Sequence, residues 1–431
     1  MNSNLNKIIE QLNKSKIRFQ LLLILSVILF SLVFILPINT PFSSISLFFA
    51  IVLSCLSASL FVMSRAESSL AISWKFLITA GILIRLIVAV QPSATIDMST
   101  WVEVAETVID GGDIYATGRV SWTAIWPLTL GALMHLSNLT GIYFYILVRI
   151  LLLLNDLILL FIIKTITEKL NYSYLDSLKS QLLYFLNPLT VIITIYHPQF
   201  GSIAFTALLG SYYLTISSSS RPNLLSSLLL ALGTAIKQIT LPALIAFTLY
   251  ARSWKEMALL PLLTLFIFLF MLSPYYIYNP DLIETTVFGY MSRSGYFGFW
   301  GSVYEYFPGI FTELMQYKRV FVLIAFTTSA LLAARAKSLG RSLPEAVQMS
   351  LMGFLLLTPG WAIQYLYWLL PFGSIVKIGR KQMFLYSVFG SLAYLEYFYG
   401  DWILNPQLFL PFVYLTIFWW LREMFKRETR S

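Results

Sequence analysis

The chain has few residues of the kinds that build disulfides, metal sites and water-exposed surfaces. Its 431 residues include a single cysteine, Cys55, and two histidines. One cysteine excludes an internal disulfide framework, and so few Cys and His side chains do not make a zinc site. Charged residues make up only 11% of the chain, whereas soluble domains carry about 25%. An ordinary water-soluble enzyme is therefore excluded, and we expect no metal ion and no cofactor.

Long apolar runs take the place of the missing charge. Hydrophobic residues make up 58% of the chain, and a membrane-crossing helix needs about 20 of them in succession. The first run, from Phe19 to Leu36, is typical of a signal anchor. Further runs lie at 43–63, 70–90, 140–163, 180–196, 202–217, 224–251, 257–277, 320–334, 346–358, 365–376, 383–398 and 406–421.

These runs predict an all-α, polytopic integral membrane protein with about 12–14 transmembrane helices. We expect residues 1–431 to form a single domain. The run 224–251 is long enough for two short helices, broken near Lys237 to Pro242. The stretch Thr123–Ser137 is apolar but short and contains Pro127, which favours a re-entrant or interfacial helix.

The net charge of +9 has an explanation in topology. Most Lys and Arg residues fall on the side of the membrane assigned to the N-terminus, which the positive-inside rule makes cytoplasmic, together with both termini. The positive net charge therefore no longer favours a nucleic-acid partner. Outer loops are predicted at about 91–121 and 279–317. Possible N-glycosylation sequons at Asn138 and Asn171 lie at the membrane or on the cytoplasmic side, so a prokaryotic plasma membrane is favoured over the endoplasmic reticulum.

The first outer loop has an acid directly after a membrane span. Asp97 precedes a helix-like pattern from Met98 to Ile109, and Gly111-Gly112 is a helix stop signal. We predict an amphipathic helix along the outer membrane surface. Two interpretations of Asp97 stay open: a cap for the free N–H groups of this helix, or a carboxylate that acts on an outer-leaflet substrate.

Four segments of the chain combine polar side chains with aromatic or helix-breaking residues. The first has Asp97, Trp101 in the next turn and Tyr115 18 residues on. The other three are His197-Pro-Gln199-Phe-Gly201-Ser202, Gly233-Thr-Ala-Ile-Lys237-Gln238-Ile-Thr-Leu-Pro242 and Thr358-Pro-Gly-Trp361-Ala-Ile-Gln364-Tyr365-Leu-Tyr367-Trp368-Leu-Leu-Pro371. In this order the four segments resemble motifs of the GT-C superfamily of integral-membrane glycosyltransferases, with Ile114 where Pro is usual in the family. The first segment lacks the doubled Asp-x-Asp of the glycosylphosphatidylinositol-assembly enzymes.

This resemblance implies an inverting transfer of a hexose, with mannose as the sugar it favours. The donor would be a polyprenyl-phosphate sugar and the acceptor a lipid- or glycan-linked hydroxyl on the outer face. Asp97 would be the general base that takes the proton of that hydroxyl. Candidates to stabilise the departing phosphate or to bind the substrate are Lys237, Arg293, Arg119, His197, Gln199, Gln364 and Tyr365.

Several alternatives remain open at this stage. Lys237 could simply extend from a short helix to the interface. Arg149 and Asp156 are seven residues apart on one helix face, where they could form a structural pair, link neighbouring helices or take a direct role in function. A divalent ion held by carboxylates of the first loop, such as Asp97 and Glu103, is also open. Gly-rich nucleotide loops are absent, which disfavours a soluble sugar-nucleotide donor.

Two other functions stay in view. A transporter or flippase of lipid-linked saccharides would use the same charges and outer aromatic loops. Such proteins often contain two related halves, whereas this chain has no full-length repeat, and Asp97, Gln199, Lys237 and Gln364 gather towards one face. A polysaccharide polymerase or ligase would share the outer site, and composition does not separate it from a transferase.

Overall fold

The computed structural model describes residues 41–65, 70–91, 95–218, 224–290, 297–403 and 408–426. Within these ranges the regular secondary structure is helical throughout, which confirms the all-α prediction. Four helical segments in this part of the chain are long and apolar enough to cross a membrane: Phe144–Lys169, Tyr174–Tyr196, Trp254–Tyr278 and Lys318–Ser338. The predicted signal anchor at 19–36 and the candidate Arg293 lie outside the described residues.

The helices follow the apolar runs of the sequence. Their bounds are α1 Pro41–Arg65, α2 Leu70–Ala89, α3 Ile96–Ile109, α4 Ile125–Thr140, α5 Phe144–Lys169, α6 Tyr174–Phe185, α7 Pro188–Val191, α8 Gly201–Ser217, α9 Leu224–Ile236, α10 Leu241–Leu249, α11 Trp254–Tyr278, α12 Pro280–Ile283, α13 Gly298–Tyr306, α14 Pro308–Met315, α15 Lys318–Ser338, α16 Leu343–Leu357, α17 Leu370–Ile375, α18 Arg380–Ile403 and α19 Leu410–Phe425. Wide π turns lie at Ile192–Tyr196 and Glu284–Phe288, and 3-10 turns at Gln238–Thr240 and Ile363–Leu369.

The run that begins at Leu224 breaks where the sequence predicts it. After α9 ends, Lys237 is extended, with φ −153° and ψ 116°, and one 3-10 turn leads into α10. Pro242 lies in the first turn of α10, where its missing N–H has no helical partner to lose. Helices α8 and α9 form an antiparallel hairpin, since Gly233 lies against Ala204 and Ser226 is 3.0 Å from Ser211. Lys237 is thereby placed beside the start of α8.

The loop predicted at about 91–121 contains the predicted helix. One face of α3 is buried through Met98, Trp101, Val104 and Ala105. The helix ends at Ile109, and Gly111 after it has a φ of 70°, a left-handed conformation that glycine adopts without strain. The short apolar stretch that follows forms α4, which packs against α3 as a 16-residue helix.

Gly131 lets α4 approach α3 closely, and we expect Gly131→Ala to lower the free energy of unfolding by about 1–3 kcal/mol. An added Cβ would lie 2.3 Å from Cγ1 and 2.9 Å from Cβ of Val108. Val is branched at Cβ and has little freedom to turn away, so the helices must separate. Thermal unfolding of the purified protein in detergent measures the effect.

The matched control for this change is Gly309→Ala in α14, where an added Cβ meets nothing within 4 Å. We expect its unfolding temperature to stay close to that of the wild type. Adding Val108→Ala to Gly131→Ala should recover part of the loss, because it removes Cγ1, the atom nearest to the added Cβ. Equal unfolding temperatures for Gly131→Ala and Gly309→Ala would contradict the close α3–α4 packing.

A fully buried ion pair links three helices. Arg85 Nε of α2 donates to Asp156 Oδ2 of α5 at 3.0 Å, and neither side chain is exposed. The same carboxylate accepts hydrogen bonds from the Tyr184 hydroxyl and the Thr194 hydroxyl, each at 2.8 Å. Buried charges of this kind persist when they are paired and hydrogen bonded. Asp156 therefore links neighbouring helices, as one of the sequence alternatives expects.

Arg149 has different partners, although it shares the helix face of Asp156. Its Nη1 donates to the carbonyl of Ala89 at 2.8 Å and to that of Gln91. These carbonyls belong to the end of α2, where free carbonyl groups favour a cation. These hydrogen bonds hold the end of α2 against α5, shortly before α3 begins.

Candidate functional site

Three of the sequence-predicted residues meet at one carboxylate oxygen. Asp97 lies in the first turn of α3, where Thr95 takes the N-cap position. The Asp97 Oδ2 atom lies 2.7 Å from His197 Nε2 and accepts a second hydrogen bond from Gln199 Nε2. His197 and Gln199 are buried, whereas the Asp97 side chain is 38% exposed. The cap interpretation of Asp97 thus gives way to a carboxylate that contacts a distant part of the chain.

An irregular stretch of backbone aims His197 and Gln199 at Asp97. The helix that begins with α7 widens into the π turn Ile192–Tyr196 before it ends. The His197 amide bonds the Ile192 carbonyl at 2.7 Å, and the Gln199 amide bonds the Ile193 carbonyl at 3.0 Å. Such wide turns change the direction of the residues that follow them and are frequent at functional sites.

The fourth predicted residue, Lys237, lies on the far side of Gln199. Its ammonium donates to Gln199 Oε1 at 3.4 Å and lies 4.3 Å from the centre of the Phe200 ring. The amide of Gln199 therefore bridges the ammonium and the Asp97 carboxylate. The position of Lys237 is set by these two contacts and by the extended backbone at the helix break, so simple extension to the interface does not describe it.

Aromatic rings form the floor of the site. Trp126 stacks on Phe200 with ring centres 4.7 Å apart, and Trp101 contacts both rings edge-on at 5.2 and 6.2 Å. Trp122 lies 5.1 Å from Phe200. Trp101, Trp126 and Phe200 are buried, so these rings pack against one another beneath the polar groups and favour the nearby Lys237 cation.

The charged groups of the site shift each other's pKa. Burial alone would raise the pKa of the Asp97 carboxyl, but the His197 hydrogen bond and charge, the Lys237 ammonium and the Gln199 amide outweigh it and lower that pKa. Burial lowers the pKa of Lys237 to about 8, against the attraction of Asp97. The carboxylate therefore stays ionised across the physiological range, while the ammonium loses its proton above pH 8.

Two of the remaining predicted residues, Arg119 and Tyr365, make their described contacts outside this cluster. Arg119 forms an exposed ion pair with Glu103 at 3.3 Å. Gln364 and Tyr365 belong to the 3-10 turn Ile363–Leu369, where the Tyr365 ring lies 3.9 Å from that of Trp368. Arg293 falls outside the described residues, and the roles of all four stay predictions.

The carboxylates of the first loop do not converge on a metal site in the described residues. No group of three or more His, Cys, Asp or Glu side chains there could hold a metal ion. Glu103, the acid considered together with Asp97, pairs with Arg119. A site of this composition suits proton transfer and the binding of an anion.

The comparisons with known proteins leave the family open. No protein-family model matches the chain, and neither a curated protein nor a solved structure matches it. The likeness to the GT-C superfamily consequently rests on the motifs themselves.

Two features of the site were not predicted from the sequence. Phe200 follows Gln199 directly, and its ring is the surface against which Lys237 and Trp126 pack. Tyr394 of α18 contacts the His197 ring edge-on at 5.8 Å. Trp101, Trp122 and Trp126 were a sequence signal for this part of the site, because an aromatic-rich stretch beside a membrane span has either an interfacial or a binding role.

Proposed function

We propose that this chain is a multi-pass membrane glycosyltransferase of GT-C type, with about 12–14 transmembrane helices. It moves a hexose, with mannose as the first candidate, from a polyprenyl-phosphate donor to a lipid- or glycan-linked acceptor. The site faces the outer side of a prokaryotic plasma membrane, with both termini in the cytoplasm. The proposal depends on the four motifs and on the cluster that three of them form.

The observation that carries the proposal is how the Asp97 carboxylate is hydrogen bonded and exposed. Both described hydrogen bonds to this side chain end on Oδ2, and no described residue donates to Oδ1. With 38% of the side chain exposed, Oδ1 is the oxygen that can accept a proton from a substrate hydroxyl. His197 and Gln199 fix the carboxylate in one orientation, as a general base requires.

The proposed reaction is a single displacement with inversion. The acceptor oxygen forms a bond to the anomeric carbon, the bond from that carbon to the phosphate oxygen breaks, and the electron pair leaves with the polyprenyl phosphate. The hydroxyl becomes strongly acidic as its new bond forms, so a carboxylate of low pKa takes the proton at that moment. Lys237 stabilises the charge that collects on the departing phosphate.

The test is transfer of radiolabelled mannose from a polyprenyl-phosphate donor by membranes that contain the chain. Membranes from cells without the chain are the control, and a labelled lipid or glycan product is the expected result. If no product forms while labelled lipid-linked sugar crosses the bilayer, the chain is a transporter. Chain-length growth of a labelled glycan would identify a polymerase or ligase.

The role of Lys237 predicts a pH dependence. We expect kcat/KM for the donor to fall about tenfold for each pH unit above about 8, because the free ammonium loses its proton there. Asp97 remains ionised throughout this range, since its pKa is lowered. Lys237→Met should lower kcat/KM by about 10–100-fold at pH 7 and remove the fall above pH 8.

Lys255→Met is the matched control, because Lys255 is exposed at the start of α11. We expect it to keep the wild-type pH profile. A Lys237→Met enzyme that still lost activity above pH 8 would show that another group titrates there.

A further inference from the structure

A second candidate site lies between α1, α6, α7 and α18. These helices enclose an elongated groove of about 450 Å³. Its walls are mostly apolar, with Phe48, Leu182, Leu183, Phe384 and Leu392 among them. The volume is in the range of small-molecule sites in proteins.

Three of the polar side chains in the wall of the groove are already paired. Asn187 Nδ2 donates to Ser387 Oγ at 2.7 Å, and the hydroxyls of Ser387 and Ser391 donate to backbone carbonyls at 2.8 Å. These three groups need no hydrogen bond from an occupant. A hydrocarbon chain therefore fits against them, since apolar groups beside them leave none of the three unpaired.

Cations gather at one end of the groove. Lys179 and Lys381 line it and are exposed, and no carboxylate of the described residues lies within ion-pair distance of either. Asp176, an acid close by, already forms ion pairs with Arg380 at 2.7 Å and with Lys377 at 3.4 Å. The mouth of the groove therefore has an excess of positive charge and attracts an anion.

The dimensions of the groove match one leaflet of a bilayer. Along α18 the lining extends from Arg380 to Leu392, a distance of about 18 Å at 1.5 Å per residue. The hydrocarbon core of a membrane is about 30 Å thick. The segment Tyr174–Tyr196 has Lys179 near its start and leads to His197 after its end, so the cationic mouth and Asp97 are at opposite ends of it.

We propose that this groove binds an anionic phospholipid of the leaflet opposite the Asp97 site. One acyl chain lies in the apolar groove, and the phosphate lies between Lys179 and Lys381. Basic pockets between transmembrane helices bind anionic head groups in this way. The proposal uses neither Asp97 nor Lys237 and is independent of the transferase activity.

Lipid retention tests the proposal. The purified protein is reconstituted into vesicles of phosphatidylcholine alone or of phosphatidylcholine with phosphatidylglycerol, extracted in mild detergent, and examined by native mass spectrometry. We expect phosphatidylglycerol to be retained selectively. Replacing both Lys179 and Lys381 by Gln should weaken this retention about thirtyfold, and Leu183→Trp, which fills the groove, should abolish it with the lysines intact.

The matched control replaces two lysines outside the groove by Gln: the half-buried Lys164, which pairs with Glu168, and the exposed Lys426, which pairs with Glu423. This variant removes the same charge and should retain phosphatidylglycerol as the wild type does. Equal losses in the two double variants would reduce the effect to general surface charge and overturn the proposal. So would a wild type that retains no phosphatidylglycerol, or displacement of the lipid by inorganic phosphate alone.

Discussion

Asp97→Asn is expected to lower kcat for hexose transfer by about 10²–10⁴-fold, the range that general bases contribute. Asn has the size of Asp, and its side-chain oxygen can still accept the hydrogen bond from Gln199. It cannot take a proton from the acceptor hydroxyl at Oδ1. The measurement is the initial rate of mannose transfer with saturating donor, in membranes that contain equal amounts of each variant.

Glu103→Gln is the matched control for this substitution. Glu103 is an acid of the same helix, α3, but it is exposed and pairs with Arg119. We expect its kcat to stay within a factor of about two of the wild type, because exposed ion pairs contribute little. If Asp97→Asn transferred mannose at the wild-type rate, Asp97 would only position His197 and Gln199, and the proposed chemistry would be wrong.

Asp156→Leu is expected to lower the free energy of unfolding by about 3–5 kcal/mol, because it leaves the buried Arg85 guanidinium without its partner. The loss should appear as a large drop in the thermal unfolding temperature in detergent and in a lower yield from membranes. Tyr184 and Thr194 lose the same acceptor, which adds to the cost.

A double variant separates the unpaired charge from other effects of this substitution. Arg85→Leu combined with Asp156→Leu removes both charges, and apolar pairs often replace buried ion pairs without loss. We expect the double variant to be more stable than Asp156→Leu alone. Glu168→Gln in the same helix, where Glu168 pairs with Lys164 at the surface, should change stability by less than about 1 kcal/mol.

The sequence allowed much of the helical fold to be predicted. The apolar runs, the helix stop at Gly111 and the break between Lys237 and Pro242 all follow from local chemistry. Gly adopts a left-handed backbone without strain, and the first turn of a helix accommodates Pro without losing a hydrogen bond. The number of membrane crossings and the sidedness of the termini stay predictions.

The site was accessible to prediction only in part. Hydropathy places Asp97, His197, Gln199 and Lys237 near one face, but their contacts join residues about 100 positions apart. Such contacts depend on how the helices pack, which periodicity does not determine. Arg85 shows the same limit. A cation in an apolar run signals a buried partner, yet the pattern alone does not decide whether Asp156 pairs with it or with Arg149.

The π turn Ile192–Tyr196 holds one residue more than an ordinary helical turn. If the same residues took ordinary α-helical geometry, everything after them would rotate by about 100°, the angle of one residue. His197 and Gln199 would then leave Asp97, although every side chain of the site would still be present. Two chains can therefore share all four motifs and differ in activity through the geometry of this one turn.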